Sequence, residues 1–243
     1  MPYRQLPTTD EGRAKALKNA KEKAESTDPA NWAIDAATKA RIDAFLPDWE
    51  QELAERGEAL SGQTAASAVE DAAMLKANMY MSHFWQVFNF AIEREIFSAS
   101  DRAYYQAPVN NSEIPWTFTE SEILVWGQRL IDGEAARIAA GGTAMENPTI
   151  DDVILQYNAY VGAHNEQSTQ KDEYDKEQED VEGKRPEADD LILDIWDEVE
   201  FTYRKDSPPS KRRKAREWGV FYASRPGEEP ENGEEPPPPP IEP

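Results

Sequence analysis

Residues 74–92 read Met74-Leu75-Lys76-Ala77-Asn78-Met79-Tyr80-Met81-Ser82-His83-Phe84-Trp85-Gln86-Val87-Phe88-Asn89-Phe90-Ala91-Ile92. On a helical wheel Met74, Met81, Trp85, Phe88, Ile92 and Ile96 fall on one seam. Leu75, Met79, Phe84, Val87, Phe90 and Phe97 occupy other faces. A helix over about Thr64 to Ser98 is therefore apolar almost all round, the pattern of the central helix of a bundle. Its least charged part, Met79–Ile92, still holds Ser82, His83, Gln86 and Asn89, and it is well short of the ~20 apolar residues that a bilayer span requires. No membrane insertion is expected.

The flanking sequence continues the helical reading. Gly62 predicts a turn before this helix, and the preceding helical region, about Ala33 to Leu60, carries Pro47, which predicts a kink or break. Thr8 followed by Glu11 fits a capping box that opens a charged, peripheral helix within residues 1–28. After an irregular loop over Asp101–Thr117, Thr119 with Glu122 forms a second capping box, with a staple between Phe118 and Ile123, and the helix it starts stops at Gly141-Gly142. Asn147-Pro148 supplies an N-cap and N1 proline for a helix with Ile150, Val153, Ile154, Tyr157 and Val161 on its seam. Beyond His164 that seam nearly vanishes, so the helix should project past the core or fray before Gly183. Pro186 then begins another helix, with Ala188, Ile192, Ile195, Trp196, Val199 and Tyr203 facing inward. A short helix over Ser210–Glu217 leads to Trp218-Gly219-Val220-Phe221-Tyr222, a short strand or lid. The fold class this predicts is all-α, an antiparallel helix bundle of four to five main helices with a short C-terminal extended segment. Residues 1–226 form its single domain, and residues 227–243, with Pro236–Pro240, an acidic, disordered tail.

Charge narrows the function classes. The chain of 243 residues carries 48 Asp and Glu against 26 Lys and Arg, a formal net charge of −22. Fifteen of the acids and only four of the bases lie between Asn165 and Glu200. The basic block Lys211-Arg212-Arg213-Lys214 sits in this negative field, which opposes binding to nucleic acid or an anionic membrane. Cysteine is absent, which excludes a disulfide framework, a thiolate nucleophile and Cys-ligated metal. The N-terminal residues have no apolar core of the secretory kind, so the expected compartment is the cytoplasm.

From end to end the chain resembles a family of uncharacterised bacterial all-helical proteins. The resemblance rests on Tyr3-Arg4-Gln5-Leu6-Pro7 with Thr9-Asp10, Phe45-Leu46-Pro47, Ser82-His83-Phe84 with Gln86-Val87 and Asn89, and Trp126-Gly127 with Gly133-Glu134. It continues through Gly141-Gly142 with Asn147-Pro148-Thr149, Ala188-Asp189, Ile195-Trp196-Asp197-Glu198-Val199-Glu200 and Ala215-Arg216-Glu217-Trp218-Gly219-Val220. It covers roughly Met1 to Ser224 and implies an α-helical domain of bacterial origin, with no activity, cofactor or catalytic residue attached.

No catalytic set is legible. The two histidines, His83 and His164, are preceded three residues earlier by Tyr80 and Val161, not by the Glu of a Glu-x-x-His di-iron helix. His164 and Glu166 do not make a His-Glu-x-x-His zinc helix, and no glycine-rich phosphate loop or Gly-x-Ser-x-Gly elbow is present. No cofactor and no metal is expected. One polar stripe, Asn78, Ser82, Gln86, Asn89 and Glu93, falls within about a quadrant of the apolar helix; if buried, it is a register-fixing hydrogen-bond network or the wall of a ligand pocket. Trp116, Trp126 and Trp218 lie near predicted helix ends, where an exposed patch could recruit a partner. The expectation from sequence is a non-enzymatic interaction or scaffold protein with an unidentified protein partner. The alternative is a ligand-binding bundle or enzyme built on the polar stripe.

Overall fold

A computed structural model describes residues 2–115 and 119–224. The polypeptide is all-α. Its helices are α1 (Asp10–Glu25), α2 (Ala36–Glu93), α3 (Glu120–Ala139), α4 (Ile150–Thr202) and α5 (Pro208–Arg216), with two 3-10 segments, Pro29–Asn31 and Ala99–Tyr105. Two strands of two residues each, β1 (Tyr3–Arg4) and β2 (Tyr222–Ala223), pair antiparallel. Of the apolar run Trp218–Tyr222 only Tyr222 enters a strand, and the partner of that strand comes from near the other end of the chain. Among the described residues no helix is long and apolar enough to cross a membrane.

The chain groups into two compact units, one of Met1–Glu58 with Asp175–Pro243 and one of Ala59–Tyr174. In the first, Leu17, Ala20 and Ala24 of α1 pack with Ile42, Phe45, Leu46 and Trp49 of α2 and with Val181, Leu191, Ile192, Ile195, Trp196 and Val199 of α4. Ala215, Trp218, Val220 and Tyr222 complete this core. The charged first helix, expected at the periphery, buries Ala16, Leu17, Ala20 and Ala24; small side chains at helical spacing let it pack closely, which a search for large apolar residues overlooks. Its buried acid Asp10 accepts from Arg185 Nε at 2.8 Å and Arg56 NH1 at 2.7 Å, tying α1 to α4 and α2. In the second unit Ala77, Met81, Phe84, Trp85 and Phe88 of α2 pack with Tyr105, Ile123, Leu130, Met145, Val153, Tyr157 and Tyr160. Trp85 stands edge-on to Phe88, Tyr105 and Trp126.

Several boundaries differ from the sequence reading. Neither Pro47 nor Gly62 ends a helix: α2 runs through both. Likewise α4 neither frays nor restarts at Gly183 and Pro186. The first cap is Thr9, whose hydroxyl accepts from Gly12 N at 3.0 Å, one residue after the expected Thr8. The cap of α4 is Thr149 rather than Asn147: Thr149 Oγ1 accepts from Asp152 N at 3.2 Å, while the Asp152 carboxylate accepts from Thr149 N at 3.0 Å. The capping box of Thr119 and Glu122 forms as read. Its staple residue Phe118, like the tail 227–243, lies outside the described residues.

Candidate functional site

The quoted helix is not wrapped on all sides. Met81, Phe84, Trp85 and Phe88 are buried, while Leu75 is 72% exposed, Phe90 50% and Met79 45%. Leu75, Met79 and Phe90 fall within about 60° of one another around the helix axis, with exposed Val87 at their edge. The polar stripe overlaps this face and is not buried: Gln86 and Glu93 are exposed and fall within the same arc, while Asn78, Ser82 and Asn89 are half-buried at its edge. Gln86 Nε2 donates to Ser82 Oγ at 3.1 Å, one turn back. Asn89 Nδ2 donates to the Ser112 carbonyl at 2.8 Å, and Asn89 Oδ1 accepts from Arg102. The stripe thus pins the loop after the 3-10 segment onto α2 through Asn89. The condition of burial is not met, because the helix has a solvent side on which polar residues can stay wet.

Of the tryptophans expected at an exposed patch, Trp218 is 1% exposed, with Nε1 3.3 Å from the Tyr203 hydroxyl to which it donates. It is a core residue, because the turn at Gly219 folds it back under the chain. Trp126 is half-buried, one face against Trp85 and the guanidinium of Arg129 over its ring at 4.6 Å. Trp116 lies outside the described residues. The basic block turns onto the protein's own acids, with Lys211 3.6 Å from Glu200 and Lys214 2.6 Å from Asp206.

Two polar arrangements in the second unit were not legible in the sequence. Tyr105, Glu134 and Arg137 are all fully buried. The Glu134 carboxylate accepts from Arg137 Nε and NH2, both at 2.9 Å, from Met145 N at 2.9 Å and from the Tyr105 hydroxyl. Burial raises the Glu134 pKa, but the hydrogen bonds from Arg137, Tyr105 and Met145 outweigh it and hold the carboxyl below its usual range. Arg137 lies over the Phe97 ring at 4.3 Å. The two charges pair within the core, although Arg137 NH1 has no hydrogen-bond partner among the described residues, and the cluster reads as a structural clamp.

The second arrangement gathers residues far apart in sequence. His164 Nδ1 lies 2.7 Å from Glu70 Oε1, and one ligand atom from each of Glu70, Glu120 and His164 lies within 4.8 Å of the other two. The Tyr160 ring stacks on His164 with centroids 5.9 Å apart. Tyr160 is fully buried, and its hydroxyl has no hydrogen-bond partner among the described residues. A similar group of acids in the first unit, Glu52, Glu177 and Asp180, contains no histidine, and Lys184 meets Glu52 at 2.6 Å.

The chain matches no protein-family model, no curated protein and no solved structure.

Proposed function

We propose that the protein acts by binding another protein, and that the docking face is the outward side of α2 over Leu75–Phe90. The observation that carries this reading is the exposure of Leu75, Met79 and Phe90 on one face. Scattered exposed apolar residues need no explanation, but three large ones on one side of about 22 Å of helix, with Ser82 and Gln86 set between Met79 and Phe90, do. Such a row is what a groove or a second amphipathic helix recognises. The net charge of −22 disfavours a second copy as the occupant and favours a partner whose rim is basic. The polar stripe gives less support to a ligand pocket, since two of its five members are exposed.

The test is affinity capture from the protein's own host by wild type, by Leu75→Asp/Phe90→Asp, and by Leu155→Asp, which alters an exposed leucine on α4. A basic partner retained by wild type and Leu155→Asp but lost from the double variant is the expected result. An identical set of captured proteins from all three overturns the docking face, and concentration-dependent self-association abolished by the double variant overturns the choice of occupant.

A further inference from the structure

We propose that Glu70, Glu120 and His164 bind one divalent transition-metal ion, with the Tyr160 hydroxyl beside it. The argument begins with the donors. One imidazole nitrogen and two carboxylates come from three different helices: Glu70 from α2, Glu120 from the first position of α3, and His164 from α4. Metal–ligand bonds of ~2.0–2.2 Å place ligand atoms roughly 3–4 Å apart, and these three already lie within 4.8 Å of one another. Glu70 is buried and His164 half-buried, so both are held, whereas Glu120 is exposed and free to swing in by the remaining distance, at most about 1–2 Å. The contact of 2.7 Å between His164 Nδ1 and Glu70 Oε1 shows two of the donor atoms already converging. A cation that enters between them binds Nδ1 of the neutral imidazole, whose proton then sits on Nε2.

Tyr160 supplies an independent observation. A buried hydroxyl without a partner calls for an explanation, and this one belongs to the ring stacked on His164, one turn earlier on α4. A water on the ion, or a carboxylate drawn in by it, gives this hydroxyl its acceptor. An open cleft of about 400 Å³, lined by Met74, Thr119, Glu120 and Ser121, borders the third ligand and leaves room for that water. The donor set selects the ion: imidazole disfavours Ca²⁺ and Mg²⁺, which want oxygen alone, and carboxylates suit Mn²⁺, Fe²⁺ or Zn²⁺.

The test is calorimetric titration of the full chain with Zn²⁺ and, separately, Mn²⁺, at an ionic strength that suppresses weak binding to the many surface acids. The expected result is a single tight site per chain, weakened at least tenfold by His164→Gln and by Glu120→Gln and severalfold by Tyr160→Phe, and unchanged by Glu166→Gln. Circular dichroism checks each variant. Should His164→Gln fail to fold, Glu120→Gln, which alters an exposed side chain, decides alone. Binding only as a weak multiple class, or a tight site untouched by Glu120→Gln, overturns the proposal.

Discussion

Glu134 shows how much one side chain can hold. A carboxylate with essentially no exposure has lost its hydration, and it is tolerable only because Arg137, Tyr105 and the Met145 amide replace the lost water. Removing one partner of a buried ion pair strands the other charge, which typically costs 3–5 kcal/mol. Glu134→Ala should therefore lower stability by about that much, because Arg137 is left buried beside an empty site. Tyr105→Phe removes only one donor from a carboxylate that keeps its other bonds, and should cost about 1–2 kcal/mol. Denaturant unfolding followed by tryptophan fluorescence measures both, and equal losses would mean that the hydroxyl, not the ion pair, holds the cluster. Sequence reading could not find this residue: Glu134 and Arg137 stand three apart on a helix, a spacing that usually marks a solvated pair, and Tyr105 comes from a segment read as loop.

At the scale of elements, one capping box and one helix stop were legible, two caps were misplaced by one or two residues, and helix length was not legible. The Thr119–Glu122 box and the stop at Gly141, with φ of +94°, depend on neighbours in sequence and were read correctly. Pro47 predicts a kink or break because a proline inside a helix costs about 3 kcal/mol; the helix does not break there, and Phe45, Leu46 and Trp49 around it are all buried. Apolar burial on one turn before and after outweighs the lost hydrogen bond. At Gly62 no turn forms, and a Cβ there would meet only the flexible end of the Gln170 side chain, 2.5 Å from its Oε1. The glycines make this testable. A Cβ at Gly133 would meet the Tyr104 carbonyl and Tyr105 Cα, both at 2.9 Å and both backbone, while Gly57 and Gly162 have nothing within 4 Å. Gly133→Ala should destabilise by about 1–3 kcal/mol through overpacking. Gly57→Ala and Gly162→Ala should each stabilise by about 0.5–1 kcal/mol, because alanine is the better helix former. Thermal melts of the three variants distinguish the cases, and a loss at Gly162 would show that its face is not free. The Glu70, Glu120 and His164 cluster was illegible for a related reason: its members are separated by 50 and 44 residues in the chain, whereas metal motifs around His164 are local.

For the whole molecule the question is how a net charge of −22 and a set of buried carboxylates share the pH dependence of stability. The two effects have opposite signs. Self-repulsion among exposed acids weakens on acidification towards the isoelectric point near 4.5, which favours the folded state. Asp10 behaves differently: burial raises its pKa, but hydrogen bonds from Arg185 and Arg56 and their charges outweigh this and hold it below the usual carboxylate range. Glu134 is held down in the same sense. For a group whose folded pKa is depressed, the unfolded chain takes up the proton first. Its stabilisation is complete above the unfolded pKa, around 4, and is lost as pH falls through the folded value. The melting temperature should therefore stay level or rise from pH 7 to about 5 and then fall steeply below about 4. Asp10→Asn isolates the buried part. It should melt below wild type at neutral pH, since three arginines lose their shared anion. The gap should narrow towards pH 3, where wild-type Asp10 is itself giving up its charge. Melts at pH 7, 5 and 3 measure it. A gap that stays constant across this range would mean that Asp10 acts through shape and hydrogen bonding alone, not through the charge that joins α1 to α2 and α4.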